Sequence, residues 1–289
     1  MVENEVRAFA GEINCELDRL IYSGHDKAVR HQKRHTAEIA REMTTTIDVI
    51  PEQSVQDCDW NALRELARKA IAEDDTALMR EVVLSRNFEI DSVVDDHHGW
   101  NSLMLASYAG RKEQARLLLE AGADPDHRDL CRNSPLIIAA REEFREVLVE
   151  LIRHGADTEQ RDGRGYTAAM VAARFGNADV LEALLQKGAD VDAALPNGRT
   201  ALHIAAATGQ PAIVCLLWKY GCRRDVRDKS GKTPLDLAKE ENQHGAEKIL
   251  LASLGEFEEF VELDGDSESS IERRKPRHGH LKDMFAGVI

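Results

Sequence analysis

Hydrophobic positions in the middle of the chain fall into pairs of short runs separated by polar turns. In the stretch GRGYTAAMVAARFGN (163–177), a Thr precedes six small or apolar residues and a Gly follows soon after them. The Thr hydroxyl can accept hydrogen bonds from the unpaired N–H groups at a helix start, and the Gly can adopt the left-handed conformation that ends a helix. A second apolar run contains the pair Leu184–Leu185. The pattern therefore predicts two short antiparallel helices.

This two-helix pattern recurs at a fixed spacing. The tripeptide GAD begins at positions 122, 155 and 188, and GCR begins at 221, so the differences 155−122, 188−155 and 221−188 are each 33. A second marker, in the first helix of each unit, has the same spacing: Leu103, Leu136, Ala169, Leu202 and Leu235. One such unit cannot bury its apolar face alone, whereas stacked units build a continuous core. The period predicts an all-α solenoid.

The segments GRTALHIAAATGQPAIVCLL (198–217) and DKSGKTPLDLAK (228–239) resemble the ankyrin repeat, whose signature includes a T-P-L-H-x-A core. The resemblance implies helix-turn-helix repeats at 96–128, 129–161, 162–194, 195–227 and 228–254. It also implies that His203 forms hydrogen bonds within the turn network, and that the protein is a non-enzymatic interaction module.

Outside the repeats, the sequence predicts four further segments. Residues 58–95 predict a degenerate cap of two helices, because Leu63, Leu66, Ala67 and Ala70 form one apolar stripe. We interpret 1–43 as a helical arm that packs on the cap, meets a partner or self-associates, 44–57 as a linker, and 255–289 as a disordered tail. Between 255 and 272 the tail carries eight acidic residues and no Lys or Arg.

Several repeats depart from the pattern. Turns begin with Asp at 96, 129, 162 and 228, but Leu195 replaces this Asp in the fourth repeat. Arg132 and Glu143 stand where the second repeat should have Gly. Because a side chain disfavours the left-handed conformation, these residues leave the turn geometry of the second repeat open.

Charge and cysteine usage narrow the function classes. A net charge of −14 argues against direct binding to nucleic acid, which rewards clustered Lys and Arg. The sequence shows no apolar run long enough for a membrane span and no signal peptide, so we predict a cytoplasmic protein. The basic stretch RRKPR (273–277) leaves a nuclear location open. The five cysteines are scattered and lack a CxxC pair, which predicts plain thiols.

No motif for catalysis or metal binding is complete. Phosphate-loop, HExxH and GxSxG patterns are absent, and DGDSESSIERRK fails the calcium-loop pattern at Ser269 and Lys275. His97 and His98 are adjacent but lack a third ligand at a suitable spacing. We predict no enzyme activity, no cofactor and no metal.

The resemblance also implies where a partner binds. In ankyrin repeats the turn tips and the exposed side of each first helix line a concave surface. Transferred to this chain, the predicted partner-binding residues are His97, His98, Trp100, Tyr108, Arg141, Arg164, Tyr166, Arg174, Phe175, Arg199 and Lys232.

Aromatic and Arg side chains are enriched at interface hot spots, which favours a scaffold or adaptor that binds a protein segment bearing acidic and apolar residues. Three alternatives stay open. The side chains could be merely solvated, the acidic segment 256–272 could contact this surface in place of the partner, or the protein could be a nuclear regulator of transcription factors or chromatin.

Overall fold

The computed structural model describes residue 55 and residues 58–252, and the structural statements that follow concern these residues. The predicted arm at 1–43, the linker at 44–57 except residue 55, and the tail at 255–289 lie outside them. The predicted roles of these segments therefore stay predictions.

Helices account for nearly all the regular structure. In chain order they are α1 (Trp60–Glu73), α2 (Thr76–Leu84), α3 (Ser102–Tyr108), α4 (Lys112–Glu120), α5 (Pro135–Arg141), α6 (Arg145–Arg153), α7 (Ala168–Phe175), α8 (Ala178–Gln186), α9 (Ala201–Thr208), α10 (Pro211–Lys219), α11 (Pro234–Glu240) and α12 (244–252). Strands β1 (Val93–Asp95) and β2 (Trp100–Asn101) form an antiparallel hairpin before α3. The architecture confirms the predicted all-α solenoid.

The residue before each first helix sets where that helix begins. These residues recur every 33 positions and all have extended backbone: Asn101, Ser134, Thr167, Thr200 and Thr233. In four of the five units, all except the one at Thr200, the side-chain oxygen accepts a hydrogen bond from the backbone N–H three residues later. The period of the sequence is thus a period of helix caps.

The repeats stack in two layers. The first helices α3, α5, α7, α9 and α11 contact one another in sequence order, and α4, α6, α8 and α10 form a second row. Small residues such as Ala139, Ala172 and Ala205 are fully buried in the first row and allow close approach of the helices. The apolar stripe predicted for α1 is buried and continuous with this core. None of the described helices is long and apolar enough to cross a membrane.

In the repeats that have a turn Asp, its side chain holds the hairpin that precedes the first helix. Asp162 Oδ1 accepts hydrogen bonds from the N–H groups of Arg164 and Tyr166, both at 2.8 Å. Asp228 Oδ1 does the same for Ser230 at 2.8 Å and Lys232 at 3.0 Å. The carboxylate thus satisfies donors at the bend that the backbone alone leaves unpaired.

In the first repeat this Asp is Asp95, and the prediction of Asp96 is wrong. Asp95 Oδ1 accepts from the His97 N–H at 3.0 Å. Its carbonyl accepts from Gly99, four residues on, whereas the carbonyl of Asp162 accepts from Gly165, three residues on. The first hairpin therefore holds one extra residue, which shifts the anchor back by one. Asp96 instead forms an ion pair with Arg64 of α1.

The fourth repeat keeps its turn without the Asp. Leu195 is buried, and its backbone N–H and C=O bond to Arg199 and Gly198, both at 2.8 Å. Asn197 Oδ1 accepts from the Arg199 N–H at 3.1 Å, so the amide replaces part of the missing carboxylate.

The second repeat also keeps its turn geometry, which the sequence had left open. Arg132 and Glu143 adopt left-handed φ angles of 63° and 67°. At Gly110, the residue of the first repeat that matches Glu143, an added Cβ would lie 2.5 Å from the ring of Phe144. The residue one repeat after Phe144 is the smaller Asn177, whose amide donates to the Ala140 carbonyl at 2.8 Å. The backbone of the second repeat therefore follows the same path as in the other repeats, although Arg132 and Glu143 adopt unfavourable φ angles.

His203 links the fourth repeat to the fifth, as the resemblance implied. Its Nδ1 accepts from the Thr200 N–H at 3.2 Å, and its Nε2 lies 3.2 Å from the Lys232 carbonyl oxygen. This arrangement requires a neutral ring with the proton on Nε2. Burial lowers the pKa of His203, and it outweighs the carbonyl of Lys232 and the charge of Asp228, which raise it.

The cysteines follow the prediction only in part. Cys58, Cys215 and Cys222 are free thiols. Burial raises the pKa of Cys222 to about 12, so this thiol is unreactive. Cys131 is disulfide-bonded, which corrects the expectation of five thiols, and Cys15 lies outside the described residues.

Glycine at either left-handed position of the second repeat should stabilise the protein. We expect Glu143→Gly and Arg132→Gly each to raise the free energy of unfolding by about 1 kcal/mol, because Gly removes the steric penalty of positive φ. Both side chains are exposed. Urea denaturation measures the change, with Glu81→Gly in the interior of α2 as the matched control that loses about 1 kcal/mol. If Glu143→Gly destabilised the protein as much as Glu81→Gly does, the account would be contradicted.

Acid should weaken the contact between the fourth and fifth repeats. Because the folded pKa of His203 lies below its usual value of 6.5, the unfolded chain takes up the proton first as the pH falls. Stability is then lost below about pH 6.5, by at most about 1.4 kcal/mol per pH unit. We expect His203→Met, which copies Met104 and Met170, to flatten the pH dependence measured by denaturation between about pH 7 and 5. Parallel curves for the two proteins would refute this role.

Candidate protein-binding face

The predicted partner-binding residues belong to a set of repeat positions here called the hairpin face. It consists of the hairpin tips and of the first-helix residues that correspond to Tyr108 and Ala109 in each repeat. In the sequence these are turn positions two, three and five and repeat positions thirteen and fourteen. The side chains do not share one environment, because some are buried and others are partly or fully exposed.

The first repeat contributes an aromatic cluster. The rings of His98 and Trp100 stack with centroids 4.5 Å apart, and Trp100 is tilted against Tyr108 at 4.9 Å. Trp100 is only 4% exposed and Tyr108 only 8%. The prediction that these two residues are exposed is therefore wrong, since they pack on each other and on the core.

Trp100 and Arg199 have an unpredicted structural role. The indole Nε1 of Trp100 donates to Asp129 Oδ2 at 3.1 Å, and Arg199 Nε donates to Asp228 Oδ2 at 3.1 Å. In each case the donor is the fifth residue of its repeat and the acceptor is the turn Asp of the next repeat, 29 residues later. These side chains tie neighbouring hairpins together. The sequence feature that could have predicted these contacts is a donor side chain placed 29 residues before the next turn Asp.

The turn carboxylates differ in their proton affinity. Burial raises the pKa of Asp129 despite hydrogen bonds from Asn133 and Trp100. At Asp228 burial also acts to raise the pKa, but the Lys232 N–H and Arg199 together outweigh it and lower the pKa. At Asp95 burial is likewise overcome, mainly by His98, whose Nδ1 lies 2.6 Å from Oδ2. Negative charge is thus best stabilised at the two ends of the face.

The third repeat presents two aromatic and two Arg side chains. Tyr166 and Phe175 pack partly against the core, and Arg164, Tyr166, Arg174 and Phe175 are all half-buried. Other repeats place Asn133, Arg199 or Lys232 at the position of Tyr166, and Glu142, Thr208 or Glu241 at that of Phe175. The fold therefore does not require these side chains, although their backbone positions are fixed by Asp162 and the Thr167 cap.

Arg141 is a further correction. It was expected to be exposed between the two aromatic groups, but it is only 8% exposed and its Nε donates to Glu142 Oε1 at 3.1 Å. Its carbonyl accepts from the Asn177 amide at 3.2 Å. Asn177, which the sequence did not single out, thus ties the second repeat to the third.

The last repeat carries exposed charge. Lys232 Nζ donates to Glu240 Oε2 at 2.6 Å, and both side chains are more than a third exposed. Lys229 and Ser230 at the tip are exposed, as is His97 at the opposite end of the face. Among the described residues no group of three or more His, Cys, Asp or Glu side chains could hold a metal ion. The chemistry available on this face is therefore hydrogen bonding, ion pairing and aromatic contact.

Comparison with known protein families agrees with this geometry. A family model for ankyrin repeats in three copies matches residues 103–194, and one for ankyrin repeats in many copies matches residues 184–238. Residues 103–238 of this chain are ankyrin repeats. No curated protein matches it at a significant level. Ankyrin repeats are in general protein–protein interaction modules, and the family is in general non-enzymatic.

Proposed function

We propose that this ankyrin-repeat protein is a non-enzymatic scaffold or adaptor that binds a segment of another protein on its hairpin face. The observation that carries the proposal is the third repeat, where the half-buried side chains of Arg164, Tyr166, Arg174 and Phe175 occupy positions that other repeats fill with unrelated residues. The partner segment carries acidic residues for the guanidinium groups and apolar residues for the rings.

The buried residues have a different part in this function. Trp100, Tyr108 and Arg141 support the face from below, since their side chains pack or form bonds within the repeats. Arg199 holds the fifth hairpin through Asp228. The direct contacts therefore centre on the third repeat and reach towards His97 on one side and Lys232 on the other.

Substitutions in the third repeat should weaken binding without unfolding the protein. We design Tyr166→Asn, Arg174→Ala and Phe175→Thr from the residues of the other repeats at the same positions, Asn133, Ala207 and Thr208. Each hot-spot residue contributes about 2 kcal/mol or more, so the triple variant should bind at least about thirtyfold more weakly. Partners captured from a lysate by the wild type are identified by mass spectrometry, and the affinity for the purified partner is then measured.

The matched control changes exposed residues of the second-helix layer. Gln186→Ala and Lys187→Ala lie at the end of α8, away from the hairpin tips. The proposal requires that this control binds like the wild type and that the triple variant retains the wild-type unfolding curve. An unchanged affinity in a folded triple variant would falsify it.

A regulatory version of the proposal has the acidic segment 256–272 compete with the partner for the hairpin face. This segment lies outside the described residues, but its charge complements the Arg and Lys side chains of the hairpin face. If it competes with the partner, deletion of residues 255–289 should tighten binding, and added salt should reduce the difference because it screens the competing charges. Equal affinities of the full chain and the truncated chain would reject the competition.

A cytoplasmic location and the alternative of a nuclear regulator stay predictions. The basic stretch at 273–277 that motivates the nuclear alternative lies outside the described residues.

A further inference from the structure

Ser230 occupies the exposed tip of the last hairpin. Its N–H donates to Asp228 Oδ1 at 2.8 Å, and the Gly231 N–H closes the turn on the Asp228 carbonyl at 2.8 Å. The Ser230 hydroxyl makes no hydrogen bond with any other residue that the structure describes. Other repeats carry His98, Cys131, Arg164 or Asn197 at this position, so the turn itself does not require a hydroxyl.

Three basic residues flank this hydroxyl in the sequence, with Asp228 among them, in a protein whose net charge is −14. Arg227 and Lys229 precede it at the third and first positions, and Lys232 follows at the second. Lys229 is exposed, and the Lys232 side chain forms an ion pair with Glu240 in which both side chains are more than a third exposed. Such exposed pairs contribute little and exchange partners readily.

We propose that Ser230 is a phosphorylation site for a Ser/Thr protein kinase that recognises basic residues on the amino-terminal side of its target. The Ser230 oxygen attacks the γ-phosphorus of ATP and forms the new O–P bond. The bond between the γ-phosphorus and the oxygen bridging to the β-phosphorus breaks, ADP leaves, and the hydroxyl proton passes to the catalytic base of the kinase.

The surroundings of Ser230 fit the product as well as the substrate. A phosphoserine carries about −1.5 to −2 charges and strong acceptor oxygens, which Lys229 and Lys232 can pair with at the hairpin tip. Phosphorylation then removes positive charge from one end of the hairpin face. This consequence rests on the proposed function and weakens the binding of an acidic partner segment, whereas the modification itself does not depend on any partner.

The test uses the folded full-length protein, Mg-ATP and a basophilic Ser/Thr kinase, followed by peptide mapping with mass spectrometry. In the peptide that contains residue 230 we expect a phosphoryl group on Ser230, its complete loss in Ser230→Ala, and a several-fold slower reaction in Lys229→Ala. Ser92 provides the internal control, since it lies among acidic residues and its hydroxyl donates to the Glu89 carbonyl at 2.6 Å. An acidophilic kinase should leave Ser230 unmodified.

Two results overturn the assignment. One is an unmodified Ser230 in the folded protein under conditions in which the same kinase phosphorylates a synthetic peptide of residues 224–236, because the hairpin then blocks the reaction. The other is phosphorylation of Ser230 at an unchanged rate in Lys229→Ala, because the basic surroundings then play no part in recognition. The assay involves no binding partner, so its failure is distinct from failure of the proposed binding function.

Discussion

Each repeat in this chain depends on its neighbours to bury its apolar surface. The first helices are too short and too rich in alanine to hold a core of their own, so Ala139, Ala172 and Ala205 become buried only when the next first helix lies against them. The same dependence appears in the hairpins, where Trp100 and Arg199 donate to the turn carboxylate of the following repeat. Stability is therefore shared along the stack.

The features that recur along the stack were predicted from the sequence. The 33-residue period, the caps before the first helices and the buried stripe of α1 are visible as patterns because each occurs in several copies or over several turns. The role of Asp95 was not predictable in this way, since one extra residue in the first hairpin moves the anchor away from the periodic position. Burial of Trp100, Tyr108 and Arg141 was missed because a repeat template assigns exposure by position and ignores side-chain size.

A side chain that the repeat fold does not require is available for binding a partner. Positions that every repeat fills with a small or apolar residue belong to the stack, and positions occupied by unrelated side chains carry no such requirement. Glu143 and Arg132 show that the stack tolerates unfavourable residues even in its turns. In the third repeat, Arg164, Tyr166, Arg174 and Phe175 sit on a backbone already fixed by Asp162 and Thr167, which is the rigid support that a binding site needs.

Hydrogen exchange of the full chain with and without its captured partner tests most directly where recognition occurs. Binding on the hairpin face predicts increased protection in the hairpin tips and in the first helices, strongest around 163–176 and absent from α4, α6, α8 and α10. Protection centred on those second helices, with the hairpin tips unchanged, would contradict the account.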